Sequence, residues 1–533
     1  MKRLVLVGGL SCLIACGASP SSSDPAAPPV ATSSVSAAPP PSPEVNAAPA
    51  ADPKTAHVPV IALSDFHGWL LPLEPKGYPR YFGGVANLAG MLQHKEKLAK
   101  GDAIILDNGD MWTGPTESTL LRGESVIQAY NEIGFTAANV ANHEFDFGLE
   151  ILRARVSEAK FPFLGANIVK AGTTESPDFV EPFTIVERDG VKVGVLGLSY
   201  VGTPKTTLAK HVKDLEFKGY KETLQAFVPK VRAAGANAVV VLFHDDASIA
   251  KGVLESMPDL KVAAVVAGQN HRKEQYTVRG IPIVNPGPFG RSYVRFDLAI
   301  DRGSKELTGV KHEIVDITGD VGAPPYPPSP ALLAIAEAAR QKATRGISER
   351  DLGRLSQPLP VGTFASSPLG NFVVDSWLTA IPDADFAMLN HGALRQPLGK
   401  GAVTVGDLLS VMPFENNLYV VTLTGEQLAS QLAIDGPIVG GMTWSYRERN
   451  DRRTVVSMID QRGKKIRRNK KYRIVILDFM YTGGDGFQFK ELDTAPIDSG
   501  LSWREPVMRT LRTAEATRRE VKVRTGARAR RVR

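Results

Sequence analysis

The 533-residue sequence predicts an α/β fold. From about Val58 to Ile317, short apolar runs alternate with periodic stretches such as Val85 to Lys100, Glu124 to Ile133 and Lys221 to Ala234. Short runs rich in Val, Ile and Ala are typical of buried strands, and longer periodic stretches are typical of helices. Alternation of this kind indicates layers of strands and helices around one core.

A second folded unit is predicted after the proline-rich residues 323–328. The break leads into Ala331 to Ala343, whose Ala, Leu, Glu, Gln and Lys content favours a helix. Strands and helices mix again from about Arg354 to Trp503, which predicts a smaller α+β unit. Its predicted elements are strands at Leu418 to Leu423 and Tyr472 to Leu477, and helices at Leu369 to Leu378 and Gly425 to Ala433.

The N-terminus has the pattern of a secretory signal. Lys2 and Arg3 precede an apolar stretch, Leu4 to Ile14, that is too short to span a bilayer. The stretch ends in Leu-Ile-Ala-Cys, which resembles a bacterial lipobox. That resemblance implies cleavage before Cys16, lipid on its sulfur, and an extracytoplasmic protein anchored to a membrane. A plain secretory signal with a chance cysteine is the alternative.

The composition of both ends differs from that of the body. Residues 17–57 are mostly Ala, Pro and Ser, a composition that predicts a disordered tether. Residues 509–533 hold ten basic and two acidic residues, an excess of eight, so the rest of the +7 chain carries −1. We expect a solvated basic tail, or one that contacts anionic lipid or polyanions, and no specific nucleic-acid partner. Cys12 and Cys16 are the two cysteines, so no disulfide is expected in the mature domains.

The expected segments are these: a signal peptide with lipobox (1–16), a tether (17–57), a catalytic domain (58–322), a linker with an interdomain helix (323–350), a substrate-binding domain (351–508) and a basic tail (509–533).

Five of the strand-like runs are followed by residues that can bind a metal ion. Ligands of open α/β sheets bind beyond the carboxyl ends of the strands, so the recurrence predicts a metal centre. Four of the nine histidines fall at these positions. The runs and donors are Val58 to Leu63 with Asp65 and His67, Ala103 to Leu106 with Asp110, Ala137 to Val140 with Asn142 and His143, Ala238 to Phe243 with His244, and Val262 to Ala267 with Gln269 and His271.

Local spacing supports a shared site. Asp65 and His67 would point the same way if their backbone is extended. His143 and Asp146 would share one face of a starting helix. Each motif alone has an ordinary explanation: a turn or cap aspartate for Asp110, a capping box around residue 143, and half-buried imidazoles for the later histidines.

Together these residues resemble the metallophosphoesterases, specifically the bacterial secreted 5'-nucleotidase and UDP-sugar hydrolase group. The resemblance covers about Val58 to Phe489 and implies a four-layer domain, a β-sandwich flanked by helices, followed by a nucleotide-binding domain. The matching blocks are Ser64 to Gly68, Asn108 to Asp110, Ala141 to Asp146, Phe243-His244, Gly268 to His271, Asn390 to Arg395, Pro413 to Asn416 and Thr482 to Gly486.

The resemblance implies two divalent ions, Mn²⁺, Zn²⁺, Mg²⁺ or Co²⁺, which lower the pKa of a water and clamp the phosphoryl group. One ion would be held by Asp65, His67, Asp110 and His271, and the other by Asp110, Asn142, His244 and Gln269. His143, oriented by Asp146, would stabilise or protonate the leaving oxygen.

In the second domain the resemblance implies contacts with the rest of the nucleotide. A base would stack between Phe414 and Phe479. Core packing is the alternative role of both rings, and Tyr481 is the rival of Phe479. Arg395 would bind phosphate or ribose, Asn416 the base, and Asp485 the ribose hydroxyls. A hinge is implied near the helix at Ala331 to Ala343.

Three residues depart from the family pattern. Gln269 stands where the family usually has His, and an amide oxygen suits Mn²⁺ or Mg²⁺ better than Zn²⁺. Asp245 and Asp246 replace small residues, and their charge would either raise cation affinity or repel a polyphosphate.

The hypothesis from sequence is therefore a lipid-anchored phosphohydrolase of nucleoside 5'-monophosphates. One alternative is a 2',3'-cyclic-nucleotide phosphodiesterase with 3'-nucleotidase activity. Another is a non-catalytic nucleotide-binding lipoprotein that has lost its second metal.

Overall fold

The computed structural model describes residues 54–74, 79–345, 351–449 and 452–532. The predicted signal peptide, the lipobox cysteine Cys16 and nearly all of the predicted tether lie outside these ranges. Within them, no helix combines the length and the apolar character that crossing a bilayer requires.

Two six-stranded sheets form the centre of the N-terminal region, residues 54–320. Their order, in labels numbered along the chain, is β15-β14-β1-β3-β4-β5 and β12-β13-β11-β10-β8-β7. The strands are β1 (Thr55–Leu63), β2 (Arg80–Phe82), β3 (Ile104–Asp107), β4 (Ala137–Asn139), β5 (Phe163–Leu164), β6 (Ile168–Lys170), β7 (Phe183–Arg188), β8 (Val191–Leu198), β9 (Leu215–Phe217), β10 (Ala238–Phe243), β11 (Ala264–Ala267), β12 (Lys273–Val278), β13 (Ile281–Pro286), β14 (Ser292–Asp301), β15 (Leu307–Asp316) and β16 (Thr318–Asp320).

The two sheets pack face to face through branched side chains. Val60 and Leu106 of the first sheet share a buried cluster with Val195, Val240 and Val266 of the second. Strands buried on both faces are rich in Val, Ile and Leu, and β10, with the sequence AVVVLF, is buried at every position. This pattern explains why the central strands were recognisable from sequence.

Helices cover the two outer faces and complete four layers, as predicted. The first sheet packs against α1, α3 and α9, and the second against α7 and α8. The helices of this part of the chain are α1 (Val85–His94), α2 (Thr116–Thr119), α3 (Glu124–Ile133), α4 (Gly148–Glu158), α5 (Thr203–Thr206), α6 (Ala209–Val212), α7 (Tyr220–Ala233), α8 (Ala247–Glu255) and α9 (Pro330–Thr344).

The C-terminal region, residues 351–532, is built on a five-stranded sheet of order β21-β18-β24-β20-β25 and a three-stranded sheet of order β23-β22-β26. Its strands are β17 (Asp351–Leu355), β18 (Phe386–Leu389), β19 (Gly401–Thr404), β20 (Asn417–Thr424), β21 (Ile438–Gly440), β22 (Met442–Arg449), β23 (Arg452–Asp460), β24 (Lys471–Leu477), β25 (Ile497–Ser502) and β26 (Ala529–Arg531). Its helices are α10 (Pro368–Ala380), α11 (Val405–Val411), α12 (Gly425–Leu432), α13 (Asp478–Tyr481), α14 (Phe489–Leu492) and α15 (Glu505–Ala516).

Capping explains where two of these helices begin. The side chains of Thr404 before α11 and Thr424 before α12 each accept a hydrogen bond from a backbone N–H of the first turn. The side chains of Asp407 and Gln427 in turn accept the backbone N–H groups of Thr404 and Thr424. These capping boxes satisfy donors that a helix start leaves unpaired. The predicted α/β fold class and the named strands and helices of both regions are confirmed, except that the helix predicted over Val85 to Lys100 ends at His94.

The predicted ends need correction. Strand β1 begins at Thr55 and Ala56 is buried, so the last residues assigned to the tether belong to the first sheet. The basic segment after residue 509 was expected to be a solvated tail, but it contains most of α15 and β26. It is ordered because Leu511, Val521 and Ala529 are buried and Arg528 pairs with Asp375.

Candidate metal centre

Loops from both sheets meet at one edge of the sandwich. In the first sheet, Leu63 pairs in parallel with Asp107, and Asp107 pairs with Ala138. In the second sheet, Phe243 pairs in parallel with Ala267. The carboxyl ends of these strands are therefore level, and the loops that follow carry the predicted donors into a common site.

The loop after β1 does not have the geometry expected from sequence. Asp65 and His67 were expected to align through extended backbone, but both adopt left-handed conformations, with φ of 52° and 49°. Asp110, Gln269 and His271 also have positive φ. Strained residues of this kind cluster at functional sites, where the surrounding structure fixes them. The side chains converge because the loops turn sharply.

Two glycines allow the loops to approach each other. Gly109 has φ of 100°, and a Cβ there would lie 2.6 Å from the Cβ of Ala141. A Cβ on Gly268 would lie 2.3 Å from Ser64 Oγ and 2.9 Å from Asp65 Oδ2. Any larger residue would force the donor loops apart.

The structure brings the predicted aspartate and histidine donors together. Three groups each place one ligand atom per residue within 4.8 Å of the others: Asp65, His67 and His271; His67, Asp110 and His143; and Asp65, Asp110 and His244. His244 Nε2 lies 3.1 Å from Asp110 Oδ2, and His67 Nε2 lies 3.0 Å from His271 Nε2. Asp65 and Asp110 belong to two groups each, so the groups form one continuous cluster.

Backbone carbonyls fix the orientation of two imidazoles. His67 Nδ1 donates to the Thr113 carbonyl at 2.8 Å, and His244 Nδ1 donates to the Asn108 carbonyl at 2.7 Å. In each ring Nε2 is left to face the cluster, and His244 Nε2 lies against the Asp110 carboxylate. Histidines that bind metals are held in this way.

The two predicted amide ligands carry buried atoms without partners. Asn142 Oδ1 and Gln269 Oε1 make no hydrogen bond with any described residue. Such atoms are costly to bury unless something else satisfies them. The residues present therefore fit bound divalent metal ions.

Burial and charge shift the pKa values of the cluster. Burial raises the pKa of Asp65 to about 6, with the Asp110 carboxylate adding to the rise. Burial opposes the charged form of His244, but Asp110 and Asp65 outweigh it and raise the pKa of His244 to about 10. Burial and the Arg395 guanidinium lower the pKa of His271 to about 3. The carboxylates therefore stabilise positive charge within the cluster.

His143 belongs to one of the three donor groups and has a partner on each ring nitrogen. Nδ1 is 2.7 Å from Asp146 Oδ2, and Nε2 is 3.0 Å from Arg395 Nη2. Burial would lower the pKa of His143, but Asp146 and Asp110 raise it. The arrangement can hold a proton on Nδ1 and present Nε2 to a reacting oxygen.

The predicted substrate residues line one cavity of about 350 Å³ together with His143, Asn142 and Gln269. Arg395, Phe414, Asn416, Phe479 and Asp485 all border it. Tyr481 does not border it and instead packs against Tyr419, with ring centroids 5.5 Å apart. Geometry therefore favours Phe479 over Tyr481 as the second aromatic wall.

Contacts within the cavity join the two regions. The Arg395 guanidinium lies over the Phe414 ring at 5.4 Å, and Phe414 packs near the His143 ring at 5.9 Å. Asn390 Nδ2 donates to Asp485 Oδ2 at 2.7 Å, and burial raises the pKa of Asp485 to about 6.

Sequence reasoning missed several residues that build the site. The carboxylate of Glu144 accepts the backbone N–H groups of Asp110, Met111 and Ala141, and so ties two donor loops together. The position of Glu144 within the segment 142–146, among predicted site residues, is the sequence feature that could have indicated its role. Arg504 donates to the carbonyls of Met412, Pro413 and Phe414 and fixes the Phe414 loop, which local sequence did not indicate.

The extra acidic residues after His244 have partners of their own. Asp245 Oδ2 accepts a hydrogen bond from Tyr220 at 2.8 Å, and Asp246 precedes α8. Neither belongs to the three donor groups.

Comparison with known proteins finds similarity to 5'-nucleotidases. Residues 351–491 match the model of the 5'-nucleotidase C-terminal domain. The cell wall protein Lmo0130 of Listeria monocytogenes is 28% identical over 81% of this chain and 64% of its own length. The endonuclease YhcR of Bacillus subtilis is 26% identical over 80% of this chain but only 37% of its own length. The chain thus spans less than two thirds of these two relatives.

The fold agrees with that assignment. A 5'-nucleotidase precursor from Thermus thermophilus matches 90% of this chain and 99% of its own, with a TM-score of 0.80 and 22% identity. The protein UshA of Yersinia enterocolitica is 25% identical over 83% of this chain and 88% of its own length. These matches support the 5'-nucleotidase family, with a metallophosphoesterase fold in the N-terminal region and a 5'-nucleotidase C-terminal domain over residues 351–491.

Proposed function

We propose that this protein is a dinuclear-metal phosphohydrolase that releases phosphate from nucleoside 5'-monophosphates. The observation that carries the proposal is that the metal-donor cluster and the substrate cavity are continuous with each other. The donor cluster from five loops opens into the cavity whose other wall is Phe414, Phe479 and Asp485 of the C-terminal region. A nucleotide bound there would have its phosphate at the cluster and its base between the aromatic rings.

The proposed ligands are those predicted from sequence: Asp65, His67, Asp110 and His271 for one cation, and Asp110, Asn142, His244 and Gln269 for the other. Bound cations would supply a water of lowered pKa and would offset the charge of the phosphoryl oxygens. Asp110 is the proposed shared ligand because its carboxylate lies within reach of both halves of the cluster.

The protein's own groups would act on the phosphate and the leaving oxygen. Arg395 reaches from the C-terminal region to within 3.0 Å of His143 Nε2 and would bind a phosphoryl oxygen through charge-assisted hydrogen bonds. His143, positioned by Asp146, would stabilise or protonate the 5'-oxygen as the P–O bond breaks.

The C-terminal region would select the nucleoside. Phe414 and Phe479 would stack on the base, and Asn416 would contact its polar edge. Asp485 would accept hydrogen bonds from the ribose hydroxyls, because Asn390 already holds the carboxylate in place.

The decisive experiment is a substrate and metal panel. Purified protein, stripped of metal and reloaded with Mn²⁺, Mg²⁺, Co²⁺ or Zn²⁺, is assayed with 5'-AMP, 3'-AMP and 2',3'-cyclic AMP. We expect the highest kcat/KM for 5'-AMP and two ions per chain by elemental analysis. Preference for 2',3'-cyclic AMP would support the phosphodiesterase alternative. One ion or none, without turnover, would support a non-catalytic binding protein.

Gln269 suggests a metal preference. Its amide oxygen is a harder donor than an imidazole nitrogen, so Mn²⁺ or Mg²⁺ should activate the protein better than Zn²⁺. Gln269→His should shift the preference toward Zn²⁺. An unchanged metal profile in that variant would remove Gln269 from the ligand set.

We further propose an extracytoplasmic location with a lipid anchor on Cys16. The proposal rests on the charged, apolar and Cys-terminated pattern of the N-terminus. Growth with a radiolabelled fatty acid tests it: label should enter the wild-type protein and not the Cys16→Ser variant. Label in both proteins, or in neither, would contradict the anchor.

A further inference from the structure

A groove on the C-terminal region is separate from the proposed nucleotide cavity. It has a volume of about 1260 Å³ and shares no lining residue with that cavity. Its walls are α10, the connection between β23 and β24, and the segment Val521 to Arg524. One wall of the groove therefore comes from the basic C-terminal segment, residues 509–533.

The groove is lined by cations from two distant stretches of sequence. The β23–β24 connection supplies Arg462, Lys464, Lys465, Arg467 and Lys470, and the C-terminal segment supplies Lys522 and Arg524. All seven side chains are exposed. Across residues 54–74, 79–345, 351–449 and 452–532, none of them pairs with a carboxylate within 4.0 Å.

The three carboxylates in the groove have other partners. Asp375 pairs with Arg528 at 2.6 Å, and Asp385 accepts the backbone N–H of Arg473 at 2.8 Å. Asp460 accepts the backbone N–H groups of Arg462 and Lys464, each at 2.9 Å. Seven cations against three carboxylates leave four formal positive charges in excess.

Hydrogen bonds to the two residues that follow Lys522 hold the C-terminal segment in place. Gln357 Nε2 donates to the Val523 carbonyl at 3.1 Å, and Asn371 Nδ2 donates to the Arg524 carbonyl at 3.0 Å. Val521 is buried beneath them. The cations are thus presented by a preformed backbone, which reduces the ordering cost of binding an anion.

The shape and the chemistry of the groove indicate its ligand. A bilayer surface is flat and would meet a convex patch more readily than a concave one. Phe372, Phe386 and Tyr472 are buried in the groove wall, so stacking platforms for nucleobases are missing from its described lining. The groove would therefore recognise its ligand through negative charges repeated along the length of the ligand.

We propose that this groove binds a linear chain of phosphates, in phosphodiester or phosphoanhydride form. A chain lying along the groove would bring successive phosphates to the β23–β24 cations and then to Lys522 and Arg524. Binding of this kind releases counterions and weakens steeply with salt. The inference does not depend on the metal centre, because the two sites share no residue.

The experiment measures binding of two fluorescent probes of equal charge to the intact metal-loaded protein: inorganic polyphosphate and oligothymidylate. A groove variant carries Lys464→Gln, Lys465→Gln, Arg467→Gln, Lys522→Gln and Arg524→Gln. A control variant removes the same charge from exposed lysines elsewhere, at Lys97, Lys192, Lys205, Lys261 and Lys311. Circular dichroism checks the fold, and turnover of 5'-AMP checks the metal centre.

For four phosphate contacts, the logarithm of affinity should fall with the logarithm of salt concentration with a slope of about −3. The groove variant should bind about tenfold or more weakly with a shallower slope, whereas the control variant should resemble wild type. Binding of both probes supports charge-only recognition, and binding of one identifies the chemical source of the phosphates. No binding to wild type, equal loss in both variants, or binding only to phosphatidylglycerol vesicles would overturn the proposal.

Discussion

The two halves of the proposed site are built differently. In the N-terminal region, the side chains of Asp65, Asp110 and His244 are almost fully buried, with at most 1% exposed. In the C-terminal region, Arg395, Phe414, Phe479 and Asp485 are half-buried and line an open cavity. Under the proposed function, the first half would hold the phosphate for chemistry, and the second would bind the nucleoside. Mutations in the first half should lower kcat, and those in the second should raise KM.

The largest expected effect is at the shared ligand. Asp110→Asn removes a carboxylate that both cations would use, so kcat should fall about a thousandfold or more. Elemental analysis should show loss of at least one ion. Asp245→Asn is the control, because Asp245 lies beside the cluster but bonds to Tyr220. Two retained ions and normal turnover in Asp110→Asn would disprove the shared-ligand role.

His143 tests whether the first half contains a group that acts without binding metal. His143→Ala should lower kcat about 10²- to 10⁴-fold while KM and metal content change little. Asp146→Asn should cause a smaller loss, because it only orients the ring. If metal is lost together with activity, His143 is a ligand and not an acid.

The aromatic wall tests the second half. Phe414→Ala should raise KM for 5'-AMP about 5- to 150-fold and leave kcat nearly unchanged, since a base stack contributes about 1 to 3 kcal/mol. Tyr481→Ala is the matched control, because Tyr481 packs against Tyr419 outside the cavity. An equal rise of KM in both variants would indicate disturbed folding of the region instead of lost stacking.

The smallest expected effect is a pH dependence of binding. Burial raises the pKa of Asp485 to about 6, so its carboxylate is ionised above that pH and would then accept the proposed ribose hydrogen bonds. Below pH 6 it becomes protonated, and KM should rise a few-fold more in wild type than in Asp485→Asn. If KM depends on pH in the same way in both proteins, Asp485 does not take part in ribose recognition.

Much of the fold was predictable because its central strands are buried on both faces. Runs such as Ala238 to Phe243 have no polar alternation, and the structure places that strand within the predicted bounds. The basic C-terminal segment was not predictable, because its ordering depends on contacts with residues more than a hundred positions away. Arg528, for example, pairs with Asp375.

Sequence alone determined which donors follow which strands, since chain order and residue type are local properties. It could not determine how Asp65 and His67 align. Their backbone is left-handed and not extended as expected, because contacts between loops enforce that conformation. It also could not show that Glu144 joins two donor loops or that Arg395 reaches His143 across 252 positions. Those relations exist only where distant segments pack together, because the free energy that fixes them comes from burial in the folded chain.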